Sequence, residues 1–179
     1  MRAAEALVVS VVVLSSLAGC SSGDAVPPEV KDNGTCTFSG AITGTHTCTV
    51  AGAFTDSERV GIIEISYNLA SAYADGGVVG DTLYGTIGFP AAPVPGTYTG
   101  TSASVVPGYT QITLANVSNS TERWATTAVG SFSLVLSTVS LLGNDPEIGA
   151  IYKPTGSLDA TLVPAGAGTT GNVTLHATF

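Results

Sequence analysis

The sequence predicts an all-β domain, an antiparallel β-sandwich or barrel-like fold of about eight or nine strands. Three observations carry that expectation. Apolar residues alternate with Ser and Thr at a period of two, Gly- and Pro-rich breaks separate short strand-like runs at spacings of roughly 8 to 12 residues, and no segment makes a confident helix. Composition agrees: 44% of the chain is apolar and only 10% charged. Past residue 20 the apolar residues interleave with hydroxyls and form no long runs.

The first element is a hairpin. Cys36, Phe38, Gly40 and Ile42 share one parity with His46, Cys48, Val50 and Phe54, while Thr37, Ser39, Thr47 and Thr49 take the other. Residues 40–44 supply the turn. Next, Ile63, Ile65, Tyr67 and Leu69 alternate with Glu64, Ser66 and Asn68, the pattern of a half-buried strand with Glu64 on its polar face. Residues 68–75 could form one helical turn. Gly76-Gly77 and Gly80-Asp81 precede the run Leu83, Gly85, Ile87 and Phe89, which Pro90 to Gly96 interrupts, with Pro95-Gly96 suited to a type II turn. Tyr98 to Val106 and Tyr109 to Val117 are separated by Pro107-Gly108. The longest run is Arg123 to Leu142, in which Trp124, Phe132, Leu134 and Leu136 oppose Ser131, Ser133 and Ser137; Gly143 to Pro146 ends it. Ile148 to Tyr152, Gly156 to Val163 and Asn172 to Phe179 complete the set.

The N-terminus has a different texture. Arg2 precedes an apolar stretch from Leu7 to Leu17, and Leu17-Ala18-Gly19-Cys20 closes it. A run this short suits the core of a signal peptide, whereas a transmembrane helix needs about 20 apolar residues. These residues resemble the lipobox of a bacterial lipoprotein precursor. The resemblance implies cleavage before Cys20, diacylation of its thiol with palmitate-like chains, and a membrane anchor. Ser21, where an Asp would favour the inner membrane, implies the cell outer membrane. Glu5 departs from the pattern by offsetting Arg2. Phe89-Pro90, Pro95 to Thr99, Gly156 to Leu162 and Gly171 to Phe179 also resemble parts of short bacterial lipoproteins with a β-rich mature domain, a resemblance that implies no catalytic residue. The organisation expected is therefore a signal peptide at 1–19, a tether at 20–35 containing Pro27-Pro28, and a β domain at 36–179.

Assigning Cys20 to lipid leaves Cys36 and Cys48 as a pair among the three cysteines. Export puts them where disulfides persist, and the hairpin brings them roughly opposite each other, within bridging range of about 4.4 to 6.8 Å between Cα atoms. The rival, zinc held by Cys36, Cys48 and His46, lacks a second metal-spaced pair. Removing residues 1–19 leaves four basic against twelve acidic residues, a net charge of −8. Lys31, Arg59, Arg123 and Lys153 are scattered singly, which argues against nucleic acid as a partner.

Motifs for chemistry are sparse. Gly166-Ala167-Gly168-Thr169-Thr170-Gly171 matches a dinucleotide-binding spacing, but it leads into a terminal strand and no helix can follow. No nucleophile elbow, S-x-x-K or Walker A pattern occurs, so no cofactor is implied. Of the two histidines, His46 falls on the inner parity and His176 on the polar face with Asn172, Thr174 and Thr178. Glu58, Glu64, Asp75, Asp81, Glu122 and Asp159 offer no way to choose a carboxylate pair. The candidate ligand contacts are Trp124, as a stacking platform that its parity places in the core, and Asn144, Asp145 and Glu147, oxygen donors in what reads as a turn. Sequons at Asn33, Asn116, Asn119 and Asn172 reflect abundant Ser and Thr.

Three readings of function follow. The first is a lipid-anchored envelope protein with a structural or binding role, partnered by the membrane and by an envelope protein or glycan, and not an enzyme. The second takes Val173, Leu175, Ala177 and Phe179 as the last strand of a small outer-membrane β-barrel. The third is an envelope hydrolase with an unfamiliar site.

Overall fold

The computed structural model describes residues 30–55, 59–67, 81–100, 110–116, 122–126 and 130–179. Ten strands run through them: β1 (Gly34–Gly40), β2 (Gly44–Thr55), β3 (Val60–Tyr67), β4 (Asp81–Phe89), β5 (Gly96–Gly100), β6 (Gln111–Asn116), β7 (Arg123–Ala125), β8 (Ser131–Asp145), β9 (Gly149–Pro164) and β10 (Val173–Thr178). The fold is all-β, and no helix occurs among the described residues. Every pairing is antiparallel, in the order β10-β1-β2-β3-β4-β6-β7-β9-β8-β5, and pairing of β10 with β9 closes the sheet into a ring.

Alternation decides which side of the wall each residue faces. Val50, Ile63, Ile65, Leu83, Ile87, Ile112, Leu114, Phe132, Leu134, Leu158, Leu162, Val173 and Leu175 are all buried in one cluster that fills the interior. Burial on this scale, at about 25 cal/mol per Å² of apolar surface, is the main force closing the ring. On β10 the apolar Val173, Leu175 and Ala177 point in while Thr174, His176 and Thr178 are exposed. A membrane-spanning barrel has the opposite polarity, apolar outward toward lipid.

β9 organises the closure. Residues 157–162 pair with β10, Gly156 exchanges backbone bonds with Phe179 at 2.6 and 3.0 Å, and residues 150–152 pair with β2. Along its length β9 also meets β8, from Asp145 opposite Gly149 to Ser131 opposite Thr161, and then β7 at Val163 and Pro164. The two runs expected at Ile148 to Tyr152 and Gly156 to Val163 are thus one strand. Pro154 does not divide them, because on the side shared by β10 and β2 the described partners are Phe179, at Gly156, and Gly52, at Tyr152; no ladder bond is lost there. Conversely, the run expected from Arg123 to Leu142 is two strands, and β8 continues to Asp145. The possible helical turn at 68–75 lies outside the described residues.

The hairpin β1–β2 turns at residues 41–43 as expected, and Cys36 and Cys48 form a disulfide with Cα atoms 5.9 Å apart. They are not directly opposite. Cys36 faces His46 and Cys48 faces Gly34, so the bridge runs diagonally. Gly34 makes room for it, since a Cβ there would meet the Cys48 sulfur at 3.1 Å and the Thr178 carbonyl at 3.2 Å. The strand also starts two residues before Cys36. Just ahead of it, the Asn33 side chain pairs with Val50 as a backbone would, accepting from its N–H at 2.7 Å and donating to its carbonyl at 2.8 Å. The edge of β2 is thereby satisfied in turn by β1, by Asn33 and by β9.

These registers define two ends. One, the loop end, holds the 41–43 turn, residues 165–172 and the start of β7. The other, the hairpin end, holds the β8–β9 tip, the β2–β3 turn and residues 90–95.

Candidate functional site

On the outer wall, registers align residues across six strands. Thr45, Thr37, His176, Asp159, Ser133 and Thr99 form one row from β2 through β1, β10, β9 and β8 to β5. Thr47, Thr35, Thr178, Ser157, Val135 and Thr97 form the next. This surface is exposed or half-buried throughout and consists mainly of hydroxyls. Thr is favoured here because its branched Cβ suits an extended backbone while its hydroxyl meets water.

One histidine–carboxylate pair interrupts the hydroxyls. His176 Nδ1 lies 2.6 Å from Asp159 Oδ1, with side chains 53% and 59% exposed. A protonated ring nitrogen donates to the carboxylate. Sequence reasoning placed His176 correctly on the polar face and missed its partner. The signal was incomplete, since counting outward from the centre of the Gly166–Gly171 loop sets Asp159 opposite Thr178, and the actual register is shifted by two so that it faces His176. Two members of a catalytic triad are therefore adjacent, but Thr37, the hydroxyl neighbour across β1, bonds Thr45 at 3.3 Å. The pair stands on an open wall, and water-exposed electrostatics are weak compared with those of an enclosed site.

His46 lies on the inner parity, half-buried. Its ring stacks 4.2 Å from that of Tyr67 and 5.9 Å from that of Phe38. It packs the loop end of the interior.

Trp124 is 4% exposed and belongs to the core cluster, in line with its parity. Its indole N–H donates to the Gly171 carbonyl at 3.0 Å, fastening β7 beneath the 165–172 loop. Backbone bonds from Ala165 and Gly166 to the Arg123 carbonyl hold the same loop. An open hollow of about 510 Å³ lies here, bordered by Ile42, Glu122, Trp124, Thr169 and Gly171. The Trp124 ring borders this hollow but lies buried under the loop, so it offers no open stacking face.

At the hairpin tip, Asp145 is buried and its Oδ1 accepts from the backbone N–H groups of Glu147 and Ile148, both at 2.8 Å. That is the chemistry of a turn. Gly149 completes it at φ +104, where a side chain would collide with the Phe54 carbonyl. Asn144 and Glu147 are exposed, and no cluster of three metal-ligating side chains occurs among the described residues.

Glu64 departs from expectation. It and Ser66, expected on a solvated face, are buried at 9% and 7% exposure. Burial pushes the Glu64 carboxyl up from 4.5 to about 7, because a charge there loses its hydration. Its direct cross-strand neighbours, Ala51 and Thr86, bring no compensating cation. Alternation alone marks a face as polar and carries no information about what covers it. Comparison of the chain with protein-family models, with curated proteins and with solved structures finds no match to any of them.

Proposed function

We propose that the chain is a lipid-anchored envelope protein, held by Cys20, whose β domain has a binding or structural role exercised through its outer wall. The observation that supports this most is the polarity of the ring: side chains fill the interior, and the outer wall around His176 and Asp159 is lined mainly by exposed hydroxyls. A broad, nearly uncharged wall of hydroxyl donors and acceptors suits an envelope glycan or protein better than it suits the enclosed geometry catalysis needs. The disulfide fits an exported, oxidising environment. The same polarity counts against the outer-membrane barrel, since Val173, Leu175 and Ala177 would have to face lipid.

Fractionation tests the reading. The wild-type protein should sediment with membranes and show no heat-modifiable gel mobility, while Cys20→Ser should be released soluble and folded. A Cys20→Ser protein that stays in the membrane fraction as a heat-modifiable species would instead establish the barrel. Turnover of an envelope ester, peptide or glycan that disappears in His176→Ala would establish the hydrolase.

A further inference from the structure

The hairpin end carries features the wall does not. Leu141 is 59% exposed, Leu142 42% and Val94 56%, and all three lie at this end. The two leucines are presented by a bulge: Leu141 faces Tyr152 and Gly143 faces Ile151, leaving Leu142 as the extra residue. A bulge re-aims side chains that regular pairing would send to opposite faces. Of the four basic residues remaining after Cys20, Arg59 in the β2–β3 turn and Lys153 opposite Ser140 are here too, and exposed Lys31 precedes β1 on the same side of the ring. Arg123 alone sits at the loop end. Exposed Asp32 and Glu147 accompany them, and Asp56 and Glu58 adjoin Arg59 in the sequence, so this end has no excess of positive charge.

The chain leading from Cys20 arrives on the same side. Gly34 opens β1 beside Phe179, which bonds Gly156, and from Gly156 the β8–β9 hairpin projects onward to Gly149. Seven residues of strand extend at most about 23 Å. The ten steps from Val30 back to Cys20 reach at most about 33 Å in any conformation. Lipid at Cys20 and leucines at the hairpin tip are therefore within reach of one plane.

We propose that the hairpin end docks on the surface of the membrane that holds the anchor, with Leu141 and Leu142 entering the acyl boundary. The proposal rests on the lipid-anchor reading. Exposed leucines suit the acyl boundary, and tethering raises their effective concentration there so that a small patch suffices without electrostatic attraction.

The test uses the full-length acylated protein on vesicles of phosphatidylethanolamine and phosphatidylglycerol with brominated acyl chains, which quench indole on contact. Leu141→Trp should lose at least half of its added emission relative to unbrominated vesicles, and the wild type, whose one Trp124 is buried at the loop end, less than a tenth. Leu142→Asp added to Leu141→Trp should abolish the quenching without releasing the protein. Protein that floats with the vesicles but shows an unquenched Trp at 141 overturns the docking alone. An unquenched Trp together with crosslinking between copies assigns the tip to a second chain and likewise overturns it. Protein that fails to float overturns the anchor and the docking together.

Discussion

The loop end buries its aromatic side chains beside an open hollow, whereas the hairpin end, packed underneath by Phe89 against Tyr98, leaves apolar side chains exposed. At the first, Trp124 is buried and hydrogen-bonded beneath the 165–172 loop, and His46 stacks on Tyr67 below the 41–43 turn. At the second, the β8–β9 hairpin stays paired with β2 as far as Ala150 and carries exposed leucines just ahead of a turn held by Asp145. The contrast separates residues that maintain the fold from residues free for other work. Aromatic side chains pack both ends, and the hairpin end in addition exposes apolar surface that folding does not use.

Substitution at the two ends gives the sharpest contrast. Trp124→Ala should cost about 3 to 5 kcal/mol of unfolding free energy, whereas Leu141→Ala should change it by less than about 0.5 kcal/mol. Equal losses in denaturant titration would erase the distinction. Between the ends, replacing Cys36 and Cys48 with Ser should cost about 3 kcal/mol, since the bridge closes a loop with a separation of 12 residues. The barrel should stay folded but melt earlier.

Glu64 gives an effect of similar size that depends on pH. Its carboxyl titrates near 7 when folded and near 4.5 when unfolded, so the folded state binds more protons between those values. Stability contributed by the neutral acid is intact below pH 4.5, falls as pH rises, and is lost above 7, a change of at most about 3 kcal/mol. Glu64→Gln should flatten this slope and be the more stable protein at pH 8; thermal melts at pH 5 and pH 8 measure it. A smaller loss belongs to Asn33, which does side-chain work just before β1 begins. Asn33→Ala should cost about 1 to 3 kcal/mol and speed hydrogen exchange at the Val50 amide.

Alternation made most of the wall legible, because a filled interior demands one apolar face per strand. Phe38, Ile63, Leu83, Leu134 and Leu175 point inward as their parity requires. Strand ends and partners were less legible. Pro154 and Gly156 read as a break, yet β9 runs through them because its neighbours there change from β10 to β2. Asn33 read as part of a tether, since nothing local reveals that an amide will replace a missing strand residue. Glu64 read as solvated for the same reason: its burial is set by tertiary cover. The candidates Trp124 and Asp145 were placed in the core and in a turn by parity and composition, and the structure puts them there. Asp159 and His176 were each visible, and only their register made them a pair.

The anchor is the claim on which the functional account depends, and the intact mass of the mature protein extracted from membranes tests it most directly. The account predicts a chain beginning at Cys20, carrying a diacylglyceryl group on its thiol and two hydrogens lighter for the bridge between Cys36 and Cys48. A chain beginning elsewhere, or an unmodified Cys20, would contradict it.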